Sequence, residues 1–550
     1  MPIERFLRMF DFVTVVISAA TLAFQTLTIG GIAFLTWVLR ASGEESAGLV
    51  RACLRWVRWL AAGLAVMLGA YVAMNVFVLI VSTGISLREA MGANLVYAAG
   101  ISMAGAVSIA VLSSAKKGRS GAALLPSAGL VLLGAMLTSH AMARMDNRLP
   151  LAVLTVLHQA ATAVWIGGLP FLLLVLYRGE SPGFLRETTQ RFSRLAFVSV
   201  CVLGAAGLWL AVVYVGSWSA LYETAYGAML SSKLLLFGLL VSLGAVNFYT
   251  VRASHGNEFS GMKRVRCFCE AEIGIGLSVL LAAASLTSQP PSADETSDRL
   301  TMKEIAARMW PKWPGFTTPS LAQETQIKIR LPEGISPGDP GYYAAFTAAK
   351  RERWRQQNLV DSAWSDYNHH WAGLIVLVMG LVALVARTGR IPLARNWPLL
   401  FIGLAVFLFF RADPEAWPLG HNRTFWESWL NPEDLQHRMF VLMVIVFAIF
   451  EWRVQTGRVA RETPALVFPA VCLLGGAALL THSHSFGDVK EELFAGLSHL
   501  PIAVLGVLAG WSRWLELRLP SGDRAKSALS WIWPVCFALI GAILLNYRET

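Results

Sequence analysis

The residues of this 550-residue chain best suited to chemistry are imidazoles and thioethers, and they fall in two clusters. The run MLTSHAMARM sets Met136, His140, Met142 and Met145 close together, with His158 further along. Thioether and imidazole donors together select soft Cu(I) over harder ions, and neutral imidazole is the commonest protein metal ligand. Asp146 is the only carboxylate nearby, which argues against magnesium or calcium, ions that need several oxygen donors. The plain alternative is methionine packed at an interface and His140 capping a helix carboxyl terminus. His158 is harder to explain that way. It lies inside an apolar stretch and precedes Trp165, Gly167 and Gly168, glycines that let another helix approach closely. The second cluster is THSHSFGD, with His482, His484 and Asp488, followed by Glu491, Glu492 and His499. His482 and His484 are two apart and cannot share a helical face, so they coordinate together only in an extended turn. Imidazole plus carboxylate also suits zinc, and a solvated polar loop explains the run equally simply. His437, after Glu433 and Asp434, can join this group by proximity.

The elements that position these side chains are apolar. Hydrophobic residues make up 55% of the chain and charged residues 15%, where a soluble domain carries about a quarter charged. A helix needs about 20 mostly apolar residues to cross a bilayer. Fourteen stretches answer to that, at 12–39, 59–81, 92–114, 121–142, 150–177, 193–216, 227–250, 270–288, 370–387, 397–411, 437–452, 465–481, 495–516 and 528–546. The expected fold is therefore an all-α polytopic membrane bundle of about 14 transmembrane helices. The first stretch is too long for the apolar region of a cleaved signal peptide. Loop Lys and Arg set the orientation. Arg40, Arg51, Arg55 and Arg58, then Lys116, Lys117 and Arg119, then Arg178, Arg186 and Arg191, then Lys263, Arg264 and Arg266 fall in alternate loops. Those loops are expected in the cytoplasm and both termini outside, with Arg5 and Arg8 mildly opposed. On that topology nine of the ten histidines fall on the outer side, His255 being the exception.

A polar insert at 289–369 divides the chain into an eight-span domain, 1–288, and a six-span domain, 370–550. It is rich in proline, and helices are expected over 300–309 and about 342–357. Intramembrane polar groups elsewhere are few: Asn75 beside Met67 and Met74, Lys233, Asn247, and Glu270 with Glu272 at the inner end of span eight. Cys267 and Cys269 precede those carboxylates, either as a soft exit site or as two ordinary thiols. The six cysteines form no framework. There is no GxxxxGK[ST] loop, so no ATP-driven pump is expected in this chain. No C-x-x-C-H haem attachment and no nucleophile–base constellation is present, so an enzyme is not expected. Basic residues are dispersed among short loops, which speaks against nucleic acid.

The stretches HQAATAVWIGGLPFLLL (158–174), RFSRLAF (191–197), TAYGAMLSSKLLLFGLLVSLGAVNFY (224–249) and VRCFCEAEIGIGLSVLLAAASLTSQPP (265–291) resemble the copper resistance D family, CopD/PcoD, over about 150–291. The most specific element is His158, Trp165, Gly167 and Gly168. DPEAWPLG (413–420), the QHR at 436–438, THSHS and RWLELRLP (513–520) look like the extended form of the same family. The resemblance implies a multi-pass inner-membrane protein that takes copper from the periplasm into the cytoplasm. It also implies a separate periplasmic carrier of the CopC type, since no strand domain of that kind is visible here.

Two functions of different class remain open on the sequence. In one, an outer His/Met site captures Cu(I) and a path between helices delivers it inward, with His140, Met142, Met145, His158, His437, His482, His484 and His499 as candidate ligands. In the other, paired histidines hold a b-type haem between helices, with His140 and His158, or His437, His482 and His499, as axial ligands. A scaffold that binds copper without moving it is a third reading.

Overall fold

The computed structural model describes residues 2–39, 44–114, 121–253, 259–287, 289–295, 299–319, 342–413, 416–420, 423–459, 465–480 and 489–549. Among these the chain is helical, and the one β feature is an isolated bridge between Ala416 and Arg423. Among the described residues twelve helical segments, with Arg148–Arg178 and Pro392–Arg411 each joining neighbouring elements, are long and apolar enough to cross a membrane. The apolar helices Gly121–Leu137 and Val467–Leu479 are shorter. The first of these ends early because Thr138 and Ser139 turn their hydroxyls back onto the Ala135 and Met136 carbonyls, the way such side chains compete with helix continuation. His140 and Met142 then lie on a separate single turn, His140–Ala143. The fourteen apolar stretches of the sequence are thus all helical, two of them short of a full span.

The chain divides into two compact units. The first comprises Met1–Arg299 with Leu480–His482 and Trp514–Ser527. Its helices are α1 (Pro2–Ala33), α2 (Glu44–Thr83), α3 (Asn94–Leu112), α4 (Leu125–Leu137), α5 (Arg148–Trp165), α6 (Leu169–Arg178), α7 (Pro182–Val215), α8 (Ala225–Ala253) and α9 (Phe259–Thr287). Pro170 and Pro182 start α6 and α7, where a missing N–H costs nothing. Gly216, at φ 76°, ends α7. The lipid-facing side of α7 is plain in the burial pattern: Leu208, Trp209 and Val212 are exposed, while Leu203, Ala206 and Tyr214 are buried. An exposed apolar stripe of that kind suits a surface that meets lipid. α1 crosses the turn between α5 and α6 at glycine. A Cβ on Gly167 would sit 2.0 Å from the Thr26 carbonyl oxygen, and one on Gly30 would sit 2.2 Å from the Gly167 carbonyl carbon. Only hydrogen side chains permit that approach.

The second unit comprises Leu300–Leu479, Ser483–Arg513 and Ala528–Thr550. It holds α10 (Met302–Met309), α11 (Tyr342–Arg387), α12 (Leu400–Arg411), α13 (Pro432–Gln455), α14 (Val467–Leu479), most of α15 (Val489–Arg518) and most of α16 (Arg524–Leu545). The helix expected at 342–357 does not stop there: it runs unbroken into the next span, because no glycine or proline interrupts it before Gly373. The core is aromatic. Trp397, Phe401, Phe447, Phe468, Trp533 and Phe537 pack together, with Phe401 and Phe447 edge-on at 4.2 Å and Trp397 and Trp533 at 5.1 Å. The Arg513–Glu451 ion pair, 2.8 Å, is buried beside that core, and the Arg513 guanidinium lies over Trp533.

Candidate functional site

One face of α5 carries Thr155, His158, Thr162 and Trp165, at spacings of three and four residues, the repeat that aligns side chains on a helix. α7, α8 and α9 present their own polar groups to this face, and the result is a ladder of three levels inside the first unit.

At the first level His140 meets Tyr214 on α7, with ring centroids 6.2 Å apart, and reaches the Thr287 backbone at the end of α9. The Tyr214 hydroxyl bonds to Thr155. Arg144 pairs with Asp294 at 2.7 Å and lies over the Tyr214 ring. The His140 Nε2 is buried and has no hydrogen-bond partner among the described residues. Met142 is half-buried, but Met145 is 98% exposed and projects away from this cluster.

At the second level His158 packs against α7 at Leu203 and Gly207. Its Nδ1 is shielded and unpartnered among the described residues. A Cβ on Gly207 would come within 3.1 Å of the ring, so the absence of a side chain there makes the space the imidazole occupies. Lys233 on α8 lies within electrostatic reach of His158. Gly207 and Tyr214 are seven residues apart on one face of α7, about 10 Å of helix rise. His140 and His158 therefore occupy successive levels and do not face each other across one ion.

At the third level Glu272 on α9 is buried, 2% exposed. Its carboxyl accepts from the Asn247 amide on α8 and from the Trp165 indole on α5. The Asn247 amide also lies 3.8 Å from the Cys269 Sγ, and its Oδ1 has no partner among the described residues. Beyond this level Glu270 accepts from Arg518 through both oxygens, at 2.8 and 3.1 Å, and from Trp514 at 2.8 Å and Tyr177. Cys267 donates to the Arg518 carbonyl at 3.4 Å. From Thr287 to Glu272 along α9 the ladder covers about 22 Å at 1.5 Å per residue, most of a ~30 Å hydrocarbon core.

In the second unit His437 pairs with Asp413 at 2.7 Å. The pairing, after the burial that opposes it, leaves the Asp413 pKa lowered. His499 packs with His369 and Tyr547 instead. His482 and His484 lie outside the described residues. No group of three or more His, Cys, Asp or Glu able to hold a metal occurs among the described residues. The ladder members that sequence reasoning left out of the ligand set are Trp165, Asn247, Cys269 and Glu272. Each was legible as a polar residue in an apolar stretch, but their convergence from three helices was not. Gly207 carried no signal in the sequence at all.

Residues 186–286 match the family model for copper resistance protein D, CopD. The match covers most of α7, all of α8 and nearly all of α9 and leaves out the stretch 158–174. Over 214 residues the chain is 30% identical to the copper transport protein CutJ of Bacillus subtilis (strain 168), covering 38% of this chain and 35% of that protein. Over 151 residues it is 29% identical to copper resistance protein D of Pseudomonas syringae pv. tomato, covering 25% of this chain and 49% of that protein. The alignments thus span about a third and about half of these relatives' lengths. No solved structure matches. Through residues 186–286, the helices that form three sides of the ladder, the chain is thus similar to the copper resistance protein D family.

Proposed function

We propose that the protein carries copper across the bacterial inner membrane, from the periplasm inward, along the ladder of the first unit. The observation that carries this reading is the pair of shielded imidazole nitrogens at successive levels, His140 Nε2 and His158 Nδ1, each without a hydrogen-bond partner among the described residues. A lone pair held in a dry space with no donor to satisfy it is costly unless a ligand takes it up. The positive-inside rule puts the His140 end outside and the Glu270 end inside. Cu(I) enters at His140, steps to His158, and passes to the level of Glu272, Asn247 and Cys269, where carboxylate and sulfur donors receive it. Lys233 beside the second level weakens cation binding there, which suits a conduit, since a site that must release its ion cannot hold it tightly. A separate periplasmic carrier of the CopC type would load the first level. The names of the relatives, copper transport protein and copper resistance protein, support copper as the cargo.

The test is radiocopper uptake by inside-out and right-side-out vesicles containing wild-type protein or His158→Ala. Wild-type protein accumulates copper in right-side-out vesicles and His158→Ala does not. Equal uptake by the two proteins overturns the reading, and a Soret band in the purified protein would turn it toward haem.

A further inference from the structure

We propose that α10 and the residues following it to Trp313 form an interfacial anchor, set into the lipid headgroup layer of the outer leaflet beside the end of α16. The helix is short because chemistry fixes both ends. Thr301 and Glu304 form a capping box at its start. Pro311 drives the residue before it, Trp310, out of helical geometry, to ψ 129°. Between those limits the side chains sort in reverse of the usual order. Met302, Ala306, Ala307, Met309 and Trp310 are exposed, and of the three charged residues of α10 only Lys303 is. Glu304 and Arg308, four apart, turn toward α15. Glu304 accepts from the Lys490 ammonium at 3.0 Å, and the Arg308 guanidinium lies over the Phe494 ring at 4.9 Å. A helix between protein and water turns its apolar face inward. α10 turns its apolar face away from the protein, which suits an apolar neighbour.

α16 sets the depth. Its apolar span runs to Leu545, and Asn546 follows at once. Trp531, Val535 and Leu539 are exposed along one side of it, with Ala542 next, and the same three-to-four-residue spacing leads to Asn546. Asn546 thus stands at the top of the stripe that meets lipid. It grips the anchor twice. Its Nδ2 donates to the Met309 carbonyl at 2.9 Å, and its Oδ1 accepts from the Lys312 N–H at 3.2 Å. Arg548 donates to the Trp310 carbonyl. Residues 309–312 are thereby pinned where the hydrocarbon ends.

At that level Trp310 is 72% exposed and Trp313 94%. Indole joins an apolar ring to one N–H donor, and tryptophan collects at membrane–water boundaries for that reason. The exposed ammonium groups of Lys303 and Lys312 suit anionic headgroups. Exposed apolar patches mark either protein or membrane contacts. Continuity with the lipid-facing stripe of α16 selects the membrane here. The positive-inside rule puts this end of α16 outside. None of these residues belongs to the ladder, so the anchor stands or falls apart from the proposed transport path.

The experiment places an environment-sensitive dansyl amino acid at position 313, and in a second protein at position 310, of the full-length chain. Each protein is reconstituted in vesicles of phosphatidylethanolamine and phosphatidylglycerol. The two quenchers are aqueous iodide and lipid brominated high on the acyl chain. Bromolipid removes most of the emission and iodide removes little. Emission quenched freely by iodide and untouched by bromolipid overturns the proposal and leaves this face to water or a soluble partner. Emission shielded from both also overturns it, because the chain itself would then cover the rings. Wild-type protein gives a check that needs no substitution. Hydroxyl-radical labelling in nanodiscs of the same lipids, read by mass spectrometry, spares Trp310 and Trp313. Oxidation of both at the rate of fully hydrated tryptophan refutes the anchor.

Discussion

Replacing Gly207 tests whether His158 lies on a working path. In the native protein the imidazole occupies the space a side chain at Gly207 would need, with its Cε1 3.1 Å and Nδ1 3.2 Å from an added Cβ. Carbon and nitrogen prefer about 3.5–4.0 Å, so Gly207→Ala demands a ring displacement of roughly half an ångström. That displacement costs of the order of 0.5–1.5 kcal/mol if taken as rotamer strain. The same substitution gains about 1 kcal/mol of helix propensity. The two nearly cancel, and Gly207→Ala is expected to unfold at the wild-type temperature or within a few degrees of it. Function should not cancel. Site geometry tolerates only about 0.5 Å of error, so copper uptake into vesicles should fall several-fold in Gly207→Ala. In Gly207→Leu, where the side chain takes the whole imidazole space, it should be abolished, with stability lowered by about 1–3 kcal/mol from overpacking. The assay is paired: thermal unfolding in detergent and initial copper uptake on the same preparations. A folded Gly207→Leu protein that transports copper at the wild-type rate would remove His158 from the path.

Four further outcomes follow from the same structure. Lys233→Met should tighten Cu(I) binding at the second level by roughly 1 kcal/mol or more, because a like charge is removed from a low-dielectric site; unchanged affinity by chelator competition would place Lys233 outside its influence. Arg518→Ala leaves Glu270, a largely buried carboxylate, without its cation, and a loss of about 3–5 kcal/mol in unfolding free energy is expected, against which a change below 1 kcal/mol would count. The Thr301 cap and Lys490 hold the Glu304 carboxyl down at about 2. A depressed acid stabilises the fold above its unfolded value of 4.5 and loses that contribution as pH falls from there toward about 2, so carboxyl titration followed by NMR should show a midpoint near 2 and not near 4. Alkaline phosphatase fused after Asp146 should be active and after Gly118 inactive, and the reverse pattern would invert the direction assigned to transport.

The helices were legible because their apolar runs are long, and the ends were less so because local polar chemistry sets them. Thr138 and Ser139 stop α4 before His140, which composition alone does not reveal. His140 and His158 stood out as single polar residues in apolar surroundings, but their spacing did not. They look like neighbours in the sequence, separated by one loop, and the structure sets them two turns apart along α7. Met145 shares a motif with His140 yet points away, because motif proximity fixes a residue's level and not its direction. The His369–His499 pair unites residues 130 positions apart, a relation that only tertiary packing creates.

α11 runs from Tyr342 to Arg387 without a break, about 69 Å of rod at 1.5 Å per residue against a hydrocarbon layer of ~30 Å. Residues 342–358, ahead of the span that begins at Leu359, account for about 25 Å of it. A stiff spar of this kind has no joint in which to lose a push. A pull or torque applied at residues 342–358 therefore acts on the same continuous backbone that bears His369 and His370.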